Sequence, residues 1–351
     1  MKELALFVDI EKNCGDFYLK VQFETENEVF AILGASGCGK SLTLKCIAGI
    51  ETPDAGIIRL NGEVLFDAEK KINVPARKRG VGYLFQDFAL FPNMTVFQNI
   101  MCGAKDKKTA REYIERFYLQ GKETLYPSML SGGQKQRTAL ARMLAANPRL
   151  LLLDEPFSAL DNYLKMQLER EIMNVLDDYG RTALFVSHDR NEAYRLTDRI
   201  AVMENGTVAE IQPKHDLFDK PKTLAAALLT GCKNVTALTK KADGGYYATD
   251  WGMNLRLPNK QLGETKYAYA GVRAHFLTIH EEDGENRLEC ELVREIEDAF
   301  STVVLLRKKG SMAAGGYSVL ACELPKNVWK MTNKDRLFLE IPAEKLILME
   351  K

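Results

Sequence analysis

The chain has 351 residues, enough for about two domains at roughly 150 residues each. Apolar residues make up 46% and charged residues 27%, which excludes a disordered chain and provides for buried cores. The 48 Lys+Arg balance 48 Asp+Glu, so no net charge draws the chain toward nucleic acid or acidic lipid.

In chain order, Leu4, Leu6, Val8 and Ile10 alternate as in a half-buried strand. Phe17, Leu19, Val21 and Phe23 predict a second strand, antiparallel to the first. Residues 29–33 are a continuous apolar run that stops at a glycine, the pattern of a buried parallel strand. A helix is expected over 41–48, and Pro53-Asp54-Ala55-Gly56 is a turn. Asn61-Gly62 inside 57–66 marks a hairpin. Residues 107–120 read as a charged helix, and 134–146 as another, ended by Asn147-Pro148. Leu150-Leu151-Leu152-Leu153, 182–186 and 200–203 are further buried strands. Asp161 can cap a helix whose apolar face is Leu164, Leu168, Ile172, Val175 and Leu176. Buried strands alternating with helices predict a mainly parallel α/β sheet. After about residue 231 the pattern becomes short β-like segments split by Asp243-Gly244-Gly245, Asp283-Gly284-Glu285-Asn286, Lys309-Gly310 and Gly315-Gly316. That spacing predicts a small all-β barrel.

The longest uncharged apolar stretch, 224–232, is half of the roughly 18 residues that a membrane span needs. Met1-Lys2-Glu3-Leu4 has an early acid and no apolar run, unlike a secretory signal. The seven cysteines are widely spaced, with no Cys-x-x-Cys, which fits a reducing compartment without structural zinc.

Gly34-Ala35-Ser36-Gly37-Cys38-Gly39-Lys40-Ser41 matches the phosphate-binding loop pattern, after a predicted strand and before a predicted helix. Its glycines let backbone N–H groups converge on phosphates, and the helix N-terminus adds a favourable field. Lys40 is expected on the β- and γ-phosphates of a nucleotide and Ser41 on Mg²⁺. Asp154 ends the strand of four leucines and is a second Mg²⁺ candidate. Glu155 follows it, placed to act as general base on an attacking water. The small Cys38 thiol at the helix start is expected to have a lowered pKa, and Mg-ATP to protect it from alkylation.

Leu130-Ser131-Gly132-Gly133-Gln134, just before a helix and before Asp154-Glu155, resembles the signature motif of ATP-binding cassette (ABC) ATPases. Gln86, in Tyr83-Leu84-Phe85-Gln86, resembles that family's Q-loop glutamine. Ser158-Ala159-Leu160-Asp161 resembles its D-loop, and His188, in Val186-Ser187-His188-Asp189, its switch histidine. The resemblance implies a P-loop NTPase of α/β class with antiparallel β and helical subdomains, followed by an OB-like barrel. The ATPase domain is expected over 1–230, its helical subdomain over about 87–146, and the accessory β-barrel (TOBE-like) over 231–351.

It further implies that Glu155, His188 and Gln86 are catalytic. Ser41, Gln86 and Asp154 are the implied Mg²⁺ site. Gly34, Ala35, Ser36, Gly37, Cys38, Gly39, Lys40, Ser41 and Leu42 are the implied ATP contacts in one chain. Ser131, Gly132, Gly133, Gln134 and Asp161 are those reaching a second copy's nucleotide, in a head-to-tail homodimer. Phe88, Phe91, Pro92 and Phe97 follow Gln86, and Phe91 is the expected contact for an integral membrane permease. The family's adenine-stacking aromatic is absent where expected: that position holds Cys14, with Phe17 and Tyr18 nearby.

Val8-Asp9-Ile10-Glu11-Lys12, Gly15-Asp16-Phe17 and Gly231-Cys232-Lys233-Asn234 are similar to segments of molybdate/sulfate importer ATPases. Gly271-Val272-Arg273-Ala274-His275 resembles a segment of the appended barrel of oxyanion, sugar and polyamine importers. The resemblance thus implies an ATPase at the cytoplasmic face of a cell membrane, powering uptake of molybdate, with a solute-binding protein as indirect partner. It implies neither nucleic-acid binding nor insertion into the membrane. Sulfate, iron, polyamine or sugar import is the alternative, as is an oxyanion-sensing C-terminal module with Arg273, His275 and Lys233 as ligand groups. A soluble ABC ATPase of translation or DNA repair is disfavoured, because the chain has one phosphate loop and no long heptad segment.

Overall fold

Alternation at the N-terminus becomes a pair of strands. Leu6–Asn13 (β1) buries Leu6, Val8 and Ile10 on one face and pairs antiparallel with Tyr18–Thr25 (β2). The computed structural model describes residues 5–157, 162–242, 245–257, 267–311 and 316–350. It divides into two compact units, Met1–Lys214 and His215–Lys351.

In the first unit, Val29–Gly34 (β3) is followed by helix Lys40–Ala48 (α1). Ala55–Leu60 (β4) and Glu63–Asp67 (β5) form the hairpin marked by Asn61 and Gly62, which take φ of 49° and 78°. Ile72–Asn73 (β6) and Val81–Leu84 (β7) follow. Three capped helices come next. Thr95 caps Val96–Met101 (α2), Asp106 caps Lys107–Arg116 (α3), and Ser131 caps Gly132–Ala145 (α4). They lie within the segment expected to be helical. The remaining elements are Leu150–Asp154 (β8), Asn162–Tyr179 (α5), Ala183–Ser187 (β9), Arg190–Leu196 (α6), Arg199–Glu204 (β10) and Thr207–Pro213 (β11).

The strands form one sheet in the order β6-β5-β4-β1-β2-β11-β10-β3-β9-β8-β7. Its β10-β3-β9-β8-β7 half is parallel, as the apolar runs predict. Phe30, Leu150, Leu152, Leu184 and Val186 in these strands have no exposed surface, each contributing roughly 1.5–3 kcal/mol relative to exposure. The connecting strand β11 pairs antiparallel with β10 and parallel with β2, joining the antiparallel half to the parallel one. Nothing in the periodicity of 207–213 announces that role.

Arg79 is fully buried beneath the sheet edge. It donates to the carbonyls of Val74, Cys46 and Ile47 at 2.7–2.9 Å and to Asn73 Oδ1 at 2.9 Å. Two of those carbonyls close the C-terminus of α1, where a cation suits the helix dipole. Burial pulls the guanidinium below the ordinary arginine pKa.

The second unit begins with two short helices, Lys214–Asp219 (α7) and Leu224–Leu229 (α8). It continues as Asn234–Lys240 (β12), Tyr246–Ala248 (β13), Met253–Leu255 (β14), Tyr269–Val272 (β15), Thr278–His280 (β16), Arg287–Glu297 (β17), Ser301–Lys308 (β18) and Val319–Pro325 (β19). Helix Lys326–Met331 (α9), Leu337–Glu340 (β20) and Ile347–Met349 (β21) complete it. The strands make two five-stranded sheets, β14-β13-β12-β15-β21 and β16-β20-β17-β18-β19. One core, including Trp251, Leu306, Leu320, Trp329 and Leu339, fills them, consistent with an OB-like domain. Among the described residues no helix is long and apolar enough to cross a membrane.

The division at Lys214/His215 lies before the expected 230/231 boundary. The reason is local packing. Leu224 and Ala227 pack with Cys232, Val235, Ile347 and Met349, so the helical pair belongs with the β unit. Arg273 reinforces this: its guanidinium donates to the Thr230 carbonyl at 2.8 Å, to Thr230 Oγ1 at 3.3 Å and to the Phe218 carbonyl. Arg273, expected as an oxyanion ligand, is thereby engaged by its own chain, whereas Lys233 and His275 are exposed.

Arg273→Met is expected to lower the stability of this unit by about 2–3 kcal/mol, because three oxygens lose a charged donor. Urea unfolding of the full chain followed by tryptophan fluorescence measures it, since both tryptophans, Trp251 and Trp329, are buried in this unit. An unchanged midpoint would show that these bonds add nothing to the unit's stability.

Candidate active site

The parallel strands β3, β8 and β9 end on one edge of the sheet, and the predicted chemistry is gathered there. After β3 the chain turns through residues 34–39 into α1. Ala35, Ser36 and Gly37 form an exposed crest, while Cys38 and Lys40 are buried. Gly37 and Gly39 have φ of 81° and 105°, a conformation that other residues rarely adopt. The loop wraps the Lys40 ammonium, which donates to the carbonyls of Gly34 and Ala35 at 2.9 Å each. Leu42 is half-buried in the first turn of α1.

Ser41 Oγ donates to Asp154 Oδ1 at 2.8 Å, joining the loop to the end of β8. Tyr83 on β7 donates its phenol to Asp154 Oδ2, also at 2.8 Å. Asp154 is 5% exposed, so these two donors meet a buried charge. Burial, then the neighbouring carboxylate, pushes the Tyr83 phenol well above the ordinary tyrosine pKa, which keeps it a donor. Tyr83 was absent from the sequence-based site. The all-apolar run Val81-Gly82-Tyr83-Leu84 carries no signal for it; the β7–β8 register puts it on the face that Asp154 also uses.

Glu155 takes a left-handed φ of 45° immediately after β8, and its N–H donates to the Val186 carbonyl at 3.0 Å. A non-glycine residue held there stores local strain, on the order of 1–3 kcal/mol. Its carboxylate reaches His188 Nδ1 at 3.2 Å, just past the end of β9. The residues flanking His188 are tied down. Ser187 Oγ donates to Glu192 at 2.5 Å and accepts from the Asp189 N–H at 2.9 Å. Lys165 on α5 bridges Asp189 and Glu192 at 2.7 and 2.5 Å. Sequence reading missed this ring, because α5 and α6 meet only in three dimensions.

Ser131, Gly132, Gly133 and Gln134 open α4. Ser131 Oγ accepts from the Gln134 N–H, and the Gln134 side chain accepts from the Ser131 N–H, a reciprocal capping box. One turn on, buried Gln136 donates to the Pro156 carbonyl at 2.7 Å, linking α4 to the segment after Glu155. Gln86 is exposed beyond β7. Phe88 and Ala89 follow it in left-handed backbone, and Arg142 of α4 donates to both their carbonyls. Phe91 is 46% exposed under the Arg142 guanidinium, 5.1 Å from the ring centroid, and Met94 beside it is 37% exposed. Asp161 and the rest of the expected D-loop, 158–161, lie outside the described residues. Phe17 packs against the core by Gly39, whereas exposed Tyr18 donates its hydroxyl to Glu11 at 2.5 Å.

Cys38 departs from expectation. Its thiol is buried within the core cluster, 4.0 Å from Lys40 Nζ. Burial raises its pKa and outweighs the lowering by Lys40, so it is not an activated thiolate. Alkylation of Cys38 at neutral pH is expected to be at least about 10-fold slower than at the exposed Cys14 and Cys102, even without nucleotide. Peptide mapping of iodoacetamide-treated protein measures the rates, and comparable labelling of Cys38 would contradict its burial.

The arrangement has counterparts in known proteins. The family model described as ABC transporter matches residues 19–158. The chain is 36% identical to the molybdate/tungstate import ATP-binding protein of Thermococcus kodakarensis, over 90% of this chain and 97% of that one. It is 39% identical to the spermidine/putrescine import ATP-binding protein of Bacillus cereus, over 71% of this chain and 76% of that one. Among solved structures, a dimeric ATP-binding cassette in a post-hydrolysis state, bound to ADP and Pi, superposes with a TM-score of 0.51. It is 26% identical and covers 60% of this chain and 98% of its own. A phosphate loop joined to a buried strand-end carboxylate, with a signature turn opening α4, thus accompanies similarity along nearly the whole length of an import ATPase: the chain belongs to the ATP-binding subunits of ABC importers, which hydrolyse ATP to drive transport.

Proposed function

We propose that this chain works as a head-to-tail pair of copies on the cytoplasmic face of a membrane permease, and that the cargo is an oxyanion, molybdate first. The observation that carries the nucleotide chemistry is the unbroken set Lys40, Ser41, Asp154, Glu155 and His188 along one strand edge. The cargo reading is supported by the molybdate/tungstate relative, whose similarity runs through 90% of this chain.

ATP is the substrate. Lys40 exchanges its two loop carbonyls for β- and γ-phosphate oxygens, and the N–H groups of 35–41 and the α1 N-terminus complete an anion cradle. The donor set fits Mg²⁺, which takes one or two protein oxygens and keeps phosphate and water for the rest. Ser41 has committed its proton to Asp154, so its oxygen lone pairs remain for a cation. Ser41 and Asp154, joined by Gln86 as the family resemblance implies, would hold Mg²⁺, and the ion would neutralise charge on the phosphates.

Glu155 accepts the proton of the attacking water, and His188 at 3.2 Å orients that carboxylate and would hydrogen-bond the γ-phosphate or that water. Ser131, Gly132, Gly133 and Gln134 of a second copy close over the nucleotide, with Asp161 as the neighbouring contact. The dimeric form of the ADP-bound cassette supports that pairing. Loss of the γ-phosphate contacts then lets the pair open. Phe91 and Met94, apolar and exposed beside the clamped Phe88-Ala89 turn, are the proposed permease contact. A solute-binding protein delivers cargo outside, with no contact to this chain. The spermidine/putrescine relative favours a second reading, polyamine import.

Glu155→Gln is expected to retain ATP binding, to lose about 10²- to 10⁴-fold in hydrolysis and to accumulate an ATP-bound dimer. Phosphate release and gel filtration with ATP check both, and retained turnover would refute the role of Glu155. Lys40→Ala should instead weaken binding of a fluorescent ATP analogue by about 10-fold or more, since a charge-assisted phosphate contact is lost. Uptake of labelled molybdate, sulfate and spermidine, in cells expressing the permease with the unsubstituted chain or Glu155→Gln, decides the cargo. Dependence confined to spermidine would overturn the oxyanion reading.

A further inference from the structure

We propose that Tyr83 is a positioning residue for the cation that accompanies ATP: its phenol holds one oxygen of Asp154 so that the other stays on Ser41. The inference rests on the reading of Ser41 and Asp154 as the cation-holding pair.

The geometry is specific. Tyr83 sits opposite Leu152 in the parallel β7–β8 ladder, and Asp154 is the next residue of β8 on that face. The ring lies along the core that contains Leu150 and Leu152, and against Phe85 with centroids 4.4 Å apart. This packing leaves the hydroxyl at Asp154 Oδ2, 2.8 Å away, while Oδ1 takes Ser41 at 2.8 Å.

The terminal torsion of a carboxylate is soft, and one hydrogen bond leaves it free to swing. Bonds to opposite oxygens from two different elements remove that freedom. A small cation that demands near-ideal octahedral geometry is sensitive to where its carboxylate points. Tyr83 also stands three residues before Gln86, so one strand carries both the support of Asp154 and the start of the Q-loop segment. Phenylalanine would fill the same apolar bed and leave Oδ2 without its donor.

Tyr83→Phe tests this in a Glu155→Gln background, where ATP stays intact. Mn²⁺, a paramagnetic probe for Mg²⁺, is titrated into the ATP-bound protein and followed by electron paramagnetic resonance. Affinity for Mn²⁺ is expected to fall about 10-fold, the range seen when an outer partner of a metal ligand is removed. Binding of ATP with EDTA present is expected to be unchanged. Equal Mn²⁺ affinity with and without the phenol would overturn the proposal and leave Tyr83 a packing residue, whatever the melting temperature does. A fall in metal-free ATP binding equal to the fall in Mn²⁺ affinity would overturn it too, because the whole loop would then be disturbed. Absence of ATP-dependent Mn²⁺ binding in the Glu155→Gln parent would instead sink the cation reading of Ser41 and Asp154 itself.

Discussion

A carboxylate buried at the end of an apolar strand must be met by donors, and the site is arranged around that requirement at Asp154. Ser41 answers from the phosphate-loop helix and Tyr83 from β7, so one charged group ties three elements together. Lys40 poses the same problem with opposite sign. The residue is 4% exposed, and its ammonium is held by two carbonyls of its own loop. In the proposed reading phosphate oxygens replace the carbonyls on Lys40, while Ser41 and Tyr83 stay on Asp154.

That arrangement needs strands that run the same way. β3, β9 and β8 are parallel neighbours, so their C-terminal ends deliver Lys40, His188 and Asp154-Glu155 to a common edge. Ligand sites of open α/β sheets form at such edges. The helices supply the couplings. Gln136 fastens the signature helix to the carbonyl of Pro156, and Arg142 fastens the same helix to Phe88 and Ala89. Helix α4 thus touches the segment after the proposed base at one end and the proposed permease-facing turn at the other. The Lys165 ring performs a similar service for the His188 turn.

The second unit follows different physics. Its strands bury one core around Trp251 and Trp329, and its first two helices are drawn in by Arg273 and a small apolar cluster. A guanidinium that looks like a ligand in a string of residues is a brace in the fold. That difference weakens the oxyanion-sensor reading of Arg273 and favours an accessory domain whose N-terminal helices are structurally committed.

Much was legible in the residues themselves, because some features are local. Loop motifs depend on glycine dihedrals and a strand–helix context, both contiguous in sequence. Period-2 alternation fixes β1 and β2, and Asn61-Gly62 the hairpin, without reference to distant contacts. Family membership was readable for the same reason: the phosphate loop, signature and strand-end acids are short ordered motifs. Tertiary structure alone decided the rest. The burial that raises the Cys38 pKa against its helix position comes from the surrounding core. The pairing of Tyr83 with Asp154 spans 71 positions. The role of β11 depends on neighbours on both sides, and the placing of α8 with the second unit depends on partners near residue 349. Sequence records which side chains are available, but whether a charge or thiol is solvated, paired or buried is set by residues far along the chain.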